Sequence, residues 1–314
     1  MPEPNQPEPY QLNYGADLSA DTGGSHAEVD ADSEWILRSD LHVQTGESAP
    51  ASLGVLPSTW KSVCPRSPAA WVRSSGLGIA LPYLCDLETA ETIGKLQSGA
   101  LTSSRLDPVS HGRLRAHGLL VRPAAESAVQ SRWQRDLETC CSNFVRKQWR
   151  RIPPLVESAH RRALIEYYRA LRMDGYMKAE SPTRQGFHNE SVARYFHQEL
   201  RGTVERIVGE PVKPSYCYVR SYLPGASQPV HTDREQCVWN VSWLIDDLGA
   251  AADTEPWPIR IMTDDSQTEV GFGVGEAVLF PGSVPHQRPV LPGNRSVTVI
   301  FFHYVPRGFT GSLN

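Results

Sequence analysis

The sequence predicts a mainly β core of the jelly-roll kind, a double-sheet antiparallel barrel over residues 211–310, with flanking α-helices and an α/β N-terminal extension. Three observations carry that expectation. Runs of β-branched and aromatic residues at 215–222, 237–245, 276–280 and 296–304 are separated by Gly, Pro and Asp clusters, as antiparallel strands and their turns require. Amphipathic helical patterns precede these runs and would cover an outer apolar sheet face. Two histidines and an aspartate, His231, Asp233 and His286, fall within or beside the strand-rich region, where a closed sheet would bring them together.

In chain order, residues 1–33 are rich in Pro, Glu, Asp and Ser with few large apolar groups, the composition of a disordered tail. Residues 34–122 form an N-terminal extension or a small winged-helix-like module. Up to about residue 82, Pro and Ser break the pattern repeatedly, so irregular structure anchored by Trp35, Trp60 and Trp71 is expected. From Asp86, the apolar Leu87, Ile93 and Leu96 mark a short helix and residues 110–117 a second. Gly118-Leu-Leu-Val-Arg then reads as a helix stop followed by a strand. That outline fits a structural cap or a peptide-docking module. DNA binding is disfavoured because the basic residues are few and interleaved with acids. Residues 123–210 supply helices that support the barrel. One spans 124–150, with Val129, Trp133, Leu137, Cys141 and Phe144 on one face, and Pro153-Pro154 breaks it. A second spans 155–173, with Leu164, Tyr168 and Leu171 aligned, and Asp174-Gly175 ends it. A third spans 191–208, its inward side Phe196, Leu200, Val204 and Ile207.

Composition removes several functional classes. Thirty-one basic against thirty-five acidic residues give a net charge of −4, so there is no bulk attraction for nucleic acid. No apolar run is long enough to span a bilayer, and no charged-then-apolar leader opens the chain. The six cysteines, Cys64, Cys85, Cys140, Cys141, Cys217 and Cys237, have no CxxC spacing, which disfavours a zinc knuckle or a disulfide framework. A reducing, cytoplasmic setting is the expectation, and it would also keep iron ferrous.

An isolated His-x-Asp carries little weight. Here His231-Thr-Asp233 follows a strand and a Leu-Pro-Gly-Ala turn, and His286 arrives in Pro-His near a later strand. Two imidazoles and one carboxylate suit Fe(II) on one face of an octahedron. Three protein ligands leave three positions, enough for a chelating 2-oxo acid and for O2. The structural alternative is a β-sandwich whose loops are incidentally polar.

Two longer runs carry a resemblance. Residues 214–237, from Pro-Ser-Tyr-Cys-Tyr-Val-Arg-Ser-Tyr through Val-His-Thr-Asp to Cys, resemble the corresponding run of the prolyl-hydroxylase-like branch of the Fe(II)/2-oxoglutarate-dependent oxygenases. So does Gly275-Glu-Ala-Val-Leu-Phe-Pro-Gly-Ser-Val-Pro-His286, followed nine residues later by Arg295. The resemblance covers roughly the second half of the chain. It implies a double-stranded β-helix, with Fe(II) on His231, Asp233 and His286. It further implies that Arg295 takes the far carboxylate of 2-oxoglutarate and that Tyr222 hydrogen-bonds the cosubstrate. The structural alternatives are a rim arginine in a surface ion pair and a barrel-packing tyrosine.

Among the remaining candidates, Arg220, Arg234 and Arg288 are placed to orient a carboxylate-bearing substrate or to serve as rim charges. Trp239 and Trp243 share one strand face, as core or as cavity wall. His188 and His197 have no second and third ligand near them in sequence, and His303 lies on an apolar run that suits a core or rim histidine. The resemblance favours hydroxylation of an amino-acid side chain, in a peptide or protein ahead of a free amino acid or other small metabolite. A non-catalytic metal-binding barrel is the rival of another class. The sequence does not set the oligomeric state.

Overall fold

A computed structural model of the chain describes residues 14–19, 34–46, 68–74, 77–251, 254–263 and 266–314. It divides into two compact units, residues 1–134 with 157–163, and residues 135–156 with 164–314. Among the described residues no helix is long and apolar enough to cross a membrane.

The first unit contains β1 (Ala16–Asp17), β2 (Ile36–Leu37), β3 (His42–Gln44), β4 (Ala69–Arg73) and β5 (Ala80–Leu84), then α1 (Leu87–Gln97), α2 (Pro108–Ala116) and β6 (Leu120–Val121). Four strands make one sheet in the order β1-β5-β4-β3, and β2 pairs antiparallel with β6. Asp86 and Asp107 cap the helix starts by accepting backbone N–H bonds, and Pro108 opens α2, where its missing N–H costs nothing. Two expectations are corrected here. Within the segment expected as a disordered tail, β1 pairs in parallel with β5. Within the segment expected to be irregular, Ala69–Leu84 supplies a buried hairpin. Its Trp71 is fully buried and donates Nε1–H to Gln44 Oε1 at 2.6 Å. Pro and Ser obscure the period-2 pattern of strands this short. Trp60 and Cys64, and the side chain of Val129, lie outside the described residues.

The long helix α3 (Pro123–Lys147) leads to β7 (Arg150–Ile152), α4 (Ser158–Met173), the hairpin β8 (Lys178–Ser181) and β9 (Arg184–His188), and α5 (Ser191–Glu199) with α6 (Arg201–Val208). The single helix expected over 191–208 is therefore two segments meeting at Leu200. The apolar spacing runs unbroken through the joint, so the sequence does not reveal it. Eight strands follow: β10 (Val212–Tyr222), β11 (Gln228–His231), β12 (Trp239–Leu248), β13 (Ile259–Thr263), β14 (Ser266–Val270), β15 (Ala277–Pro281), β16 (His286–Arg288) and β17 (Ser296–Pro306).

These strands do not close. They form a seven-stranded sheet, β7-β15-β12-β17-β10-β9-β8, and a four-stranded sheet, β11-β16-β13-β14, each antiparallel and open at both edges. Among the described residues no ladder joins one sheet to the other, so the expected jelly-roll barrel is replaced by a mixed α/β fold with open sheets. Alternation along a strand reports which face is buried, but closure depends on which edges pair, and that is not written into the alternation. The two sheets meet through one apolar cluster. Tyr222, Leu244, Val278, Phe280, Val297 and Val299 come from the larger sheet, and Ile259, Ile261 and Val270 from the smaller. On the opposite face of the larger sheet, Phe196 of α5 packs edge-on against the fully buried Trp243, with ring centroids 5.0 Å apart. α5 thus packs against that face.

Glu190 caps α5 by accepting from the N–H groups of Val192 and Ala193, and it also accepts the hydroxyls of Tyr167 and Tyr168. Glu190→Ala leaves all four donors without this acceptor and should cost about 3 kcal/mol in chemical denaturation. Burial pushes His197 down to about 3. A folded-state value below the unfolded one means that the unfolded chain takes up the proton first. Stability from this ring is therefore complete above pH ~6.5 and falls by about 1.4 kcal/mol per pH unit on acidification, down to the folded value. His197→Gln should lose less Tm between pH 7 and pH 5 than the parent chain.

Candidate metal centre

β11 and β16 lie side by side in antiparallel register with His231 opposite His286, and their rings sit 4.3 Å apart between centroids. Asp233 lies just beyond β11. Its N–H donates to the carbonyl of Gly282 at 2.8 Å, tying the loop after β11 to the turn after β15. Only glycine fits at that turn, because a Cβ on Gly282 would stand 1.9 Å from the Cys237 carbonyl oxygen and 3.1 Å from Asp233 Cβ. The Pro-Gly in the sequence thus holds the carboxylate beside the two rings.

One donor atom from each of His231, Asp233 and His286 falls within a 4.8 Å cluster. His231 Nε2 is 3.6 Å from Asp233 Oδ1, and His286 Nε2 is 3.5 Å from Asp233 Oδ2. Backbone carbonyls set both tautomers: His231 Nδ1 faces Pro229 O at 2.8 Å and His286 Nδ1 faces Val284 O at 2.9 Å. A carbonyl only accepts, so each Nδ1 carries a proton and each Nε2 is the nitrogen turned to the centre. Burial works against the Asp233 carboxylate, but the His231 hydrogen bond and the neighbouring His286 and His303 outweigh it and hold its pKa below the usual range. Burial lowers the pKa of His286, which keeps that ring neutral and able to ligate. The hydrogen bond with Asp233 raises the pKa of His231, whose Nε2 would give up any proton to a bound metal ion; with His286 and the ionised Asp233 it forms a 2-His-1-carboxylate facial triad, a donor set that suits iron.

The triad opens on a cavity of about 340 Å³. β10 contributes Tyr216, Tyr218, Arg220 and Tyr222 to its wall, β12 contributes Asn240 and Ser242, and β17 contributes Phe301 and His303. Arg288 enters from β16 and Arg234 from the loop after the metal motif. A larger groove of about 1110 Å³ in the first unit, beside Trp35, has no comparable group of metal donors among the described residues.

The sequence candidates separate clearly. Tyr222 is buried, with its ring edge-on to Trp257 at 4.9 Å. Arg220 pairs with Glu180 at 3.1 Å and lies 5.0 Å over the Tyr218 ring. Arg234 is exposed at the rim. Arg295 does not line this cavity. It is buried in a two-pronged pair with Asp247 and donates to the Glu255 carbonyl, so its charge is already answered. Trp239 is also turned away, since Asn240 and Ser242 take the cavity face of β12. Its Nε1–H donates to Glu210, and its ring packs on Phe144.

Arg288 has the opposite environment to Arg295. It is 4 % exposed, and its guanidinium lies 5.0 Å from the Trp257 ring and 5.1 Å from the Phe272 ring. One nitrogen donates to the Trp257 carbonyl, while Nη2 is buried with no hydrogen-bond partner among the described residues. Burial lowers its pKa to about 10, which still leaves it charged at neutral pH. Ser242 Oγ is a second buried cavity group with no such partner. The sequence expectations do not include Asn240 and Ser242; His188, expected not to ligate, and His303, expected as a core or rim histidine, line the cavity wall. The available signal was two polar residues alternating with Val241 and Trp243 on a strand otherwise made for burial.

No family model matches the chain, and no curated protein matches it. Solved structures do. A prolyl-4-hydroxylase from Pseudomonas putida is similar over 55% of this chain and 100% of its own, at 19% identity and TM-score 0.44. AviO1 from Streptomyces viridochromogenes Tue57 is similar over 56% and 98%, at 17% identity and TM-score 0.44. HygX from Streptomyces hygroscopicus, with nickel, 2-oxoglutarate and hygromycin B bound, is similar over 56% and 88%, at 11% identity and TM-score 0.43.

His231→Ala or Asp233→Ala should abolish uptake of one divalent metal ion per chain, measured by calorimetric titration. Arg295→Leu should keep that uptake and instead lose about 3–5 kcal/mol of stability, because it strands Asp247 in a buried site.

Proposed function

We propose that the chain is an Fe(II)- and 2-oxoglutarate-dependent dioxygenase that hydroxylates an unactivated C–H bond of an amino-acid side chain, in a peptide or protein or in a free amino acid. The observation that carries this reading is the pairing of the triad with Arg288. His286 and Arg288 are two apart on β16 and so share one strand face, roughly 6.7 Å apart along it. That step matches the reach of a five-carbon diacid held at its 2-oxo acid end by the metal and at its far carboxylate by a guanidinium. The role the resemblance gives to Arg295 thus passes to Arg288, whose buried charge lacks the anion that Arg295 already has.

His231, Asp233 and His286 would hold the iron, which with 2-oxoglutarate and O2 supplies the oxidising chemistry and releases succinate and CO2. Arg288 orients the cosubstrate by a charge-assisted fork, and Trp257 and Phe272 around it exclude competing water. Tyr222 and Ser242 line the same cavity, and their hydroxyls are the further groups available to the cosubstrate. With Asp233 as the carboxylate ligand, the position that a halide would need would be taken, which favours hydroxylation over halogen transfer. A cavity of about 340 Å³ suits one side chain or one small molecule beside the cosubstrate. Arg220 and Arg234 are the charged groups at hand to orient that substrate.

Anaerobic addition of Fe(II) and 2-oxoglutarate should produce the weak visible charge-transfer band of the chelate, and no band in the parent chain would overturn the reading. Arg288→Leu should raise the 2-oxoglutarate concentration needed for half the band by about 100-fold, the scale of a lost charge-assisted contact of roughly 3 kcal/mol. Arg288→Lys should recover part of it. Arg295→Leu should leave it near the parent value in folded protein. With a substrate, labelled O2 should place one oxygen atom in the product and one in succinate.

A further inference from the structure

Behind the metal carboxylate is a second pair of side chains that neither the motif nor the resemblance assigns. Asn240 is 1 % exposed and donates Nδ2–H to Asp233 Oδ2 at 2.5 Å. Its Oδ1 lies 2.5 Å from His303 Nδ1. The chemistry of the chain of contacts leaves one arrangement. An ionised carboxylate only accepts, so the amide must turn its NH2 toward Asp233 and its oxygen toward His303. The oxygen only accepts in turn, so His303 must carry its proton on Nδ1. Every hydrogen in the series is therefore directed toward the metal ligand.

The far end of this series is held firmly. The backbone carbonyl of His303 accepts from His197 Nε2 at 2.8 Å and from Ser215 Oγ at 2.9 Å. Its ring sits 4.5 Å from that of Tyr216, and with Nδ1 committed to Asn240 its Nε2 is the nitrogen left for the cavity that the ring lines. At the other end, Gly282 admits the network. The Cβ that glycine lacks would come within 3.0 Å of Asn240 Nδ2 and 3.1 Å of Asp233 Cβ.

We propose that Asn240, oriented by His303, is the positioning residue that makes Asp233 a one-oxygen metal ligand. The Asn240 hydrogen bond occupies Oδ2, leaving Oδ1, the atom nearer His231, as the ligand. Without that bond the carboxylate can rotate or bind through both oxygens, taking up coordination space that a chelating cosubstrate needs. His303 acts only through Asn240, by preventing the amide from turning over. This inference rests on the metal-centre reading and adds to it two residues that do not touch the metal.

The test uses the metal-free full chain titrated with Co(II), reading affinity by calorimetry and ligand geometry by visible absorption, with Tm measured alongside. Asn240→Leu should weaken Co(II) binding by about 10–100-fold, the range for groups that orient metal ligands, and alter the Co(II) spectrum. His303→Phe keeps the ring but removes the donor, and should weaken binding in the same direction. His303→Gln restores an N–H donor and should recover affinity. The double variant Asn240→Leu/His303→Phe should bind no worse than Asn240→Leu alone, because His303 acts through the missing amide. Asn240→Ala, which removes bulk instead of replacing it, reads the same comparison if Leu prevents folding. Folded variants that lose Tm but bind Co(II) with the parent affinity and spectrum would overturn the proposal, as would fully additive losses in the double variant. A parent chain that takes up no Co(II) would overturn the metal-centre reading itself, and the positioning role with it.

Discussion

The site depends on the pairing of β11 with β16, because that ladder brings two histidines from opposite ends of a 55-residue stretch to one point. Neither strand is long: β11 has four residues and β16 has three. So short a pair has few hydrogen bonds of its own, and its register must be held from outside. β13 pairs with the far side of β16, and the Asp233-to-Gly282 hydrogen bond ties the loop beyond β11 to the end of β15. The geometry of the triad therefore depends on the smaller sheet and on its ties to the larger one, the Gly282 turn, the Asn240–Asp233 bond and the shared apolar cluster.

The inner face of the larger sheet is divided in composition. Toward the metal it presents Asn240, Ser242 and His303, and toward the other end Leu244, Val297 and Val299. Two groups of the polar end are satisfied, Asn240 bonding Asp233 and His303 bonding Asn240, while Ser242 Oγ has no partner among the described residues. Arg288 is a further exception. A buried guanidinium against two aromatic rings, with one nitrogen lacking a partner among the described residues, is stable only because the remaining contacts and packing hold it.

The two arginines also show how a buried charge is answered in two ways. Arg295 is neutralised from within the chain by Asp247, so its contribution is to stability and to the seating of β17. Arg288 keeps Nη2 without a hydrogen-bond partner among the described residues. Their positions, nine and two residues after His286, look equally serviceable in a linear motif. What separates them is the surrounding side chains: a carboxylate and a carbonyl around one, aromatic faces around the other.

Much of this was legible in the sequence. The strand runs, the long helix, the triad of His231, Asp233 and His286 and the arginines around them follow from alternation, spacing and the chemistry of imidazole and carboxylate. The strand and helix patterns and His231-x-Asp233 are local properties, carried by residue type and by distances of two to four positions; His286 was joined to them by its Pro-His context and by the resemblance. Sheet closure was not legible, because it depends on which edges pair, and the expected barrel proved to be two open sheets. Nor was the engagement of Arg295 by Asp247, because a charge becomes available or engaged only when distant residues pack around it. The Asn240–His303 pair was hidden for the same reason. Sixty-three residues separate these side chains in sequence. Only the pairing of β12 with β17 places one opposite the other, and with it decides which oxygen of Asp233 is free.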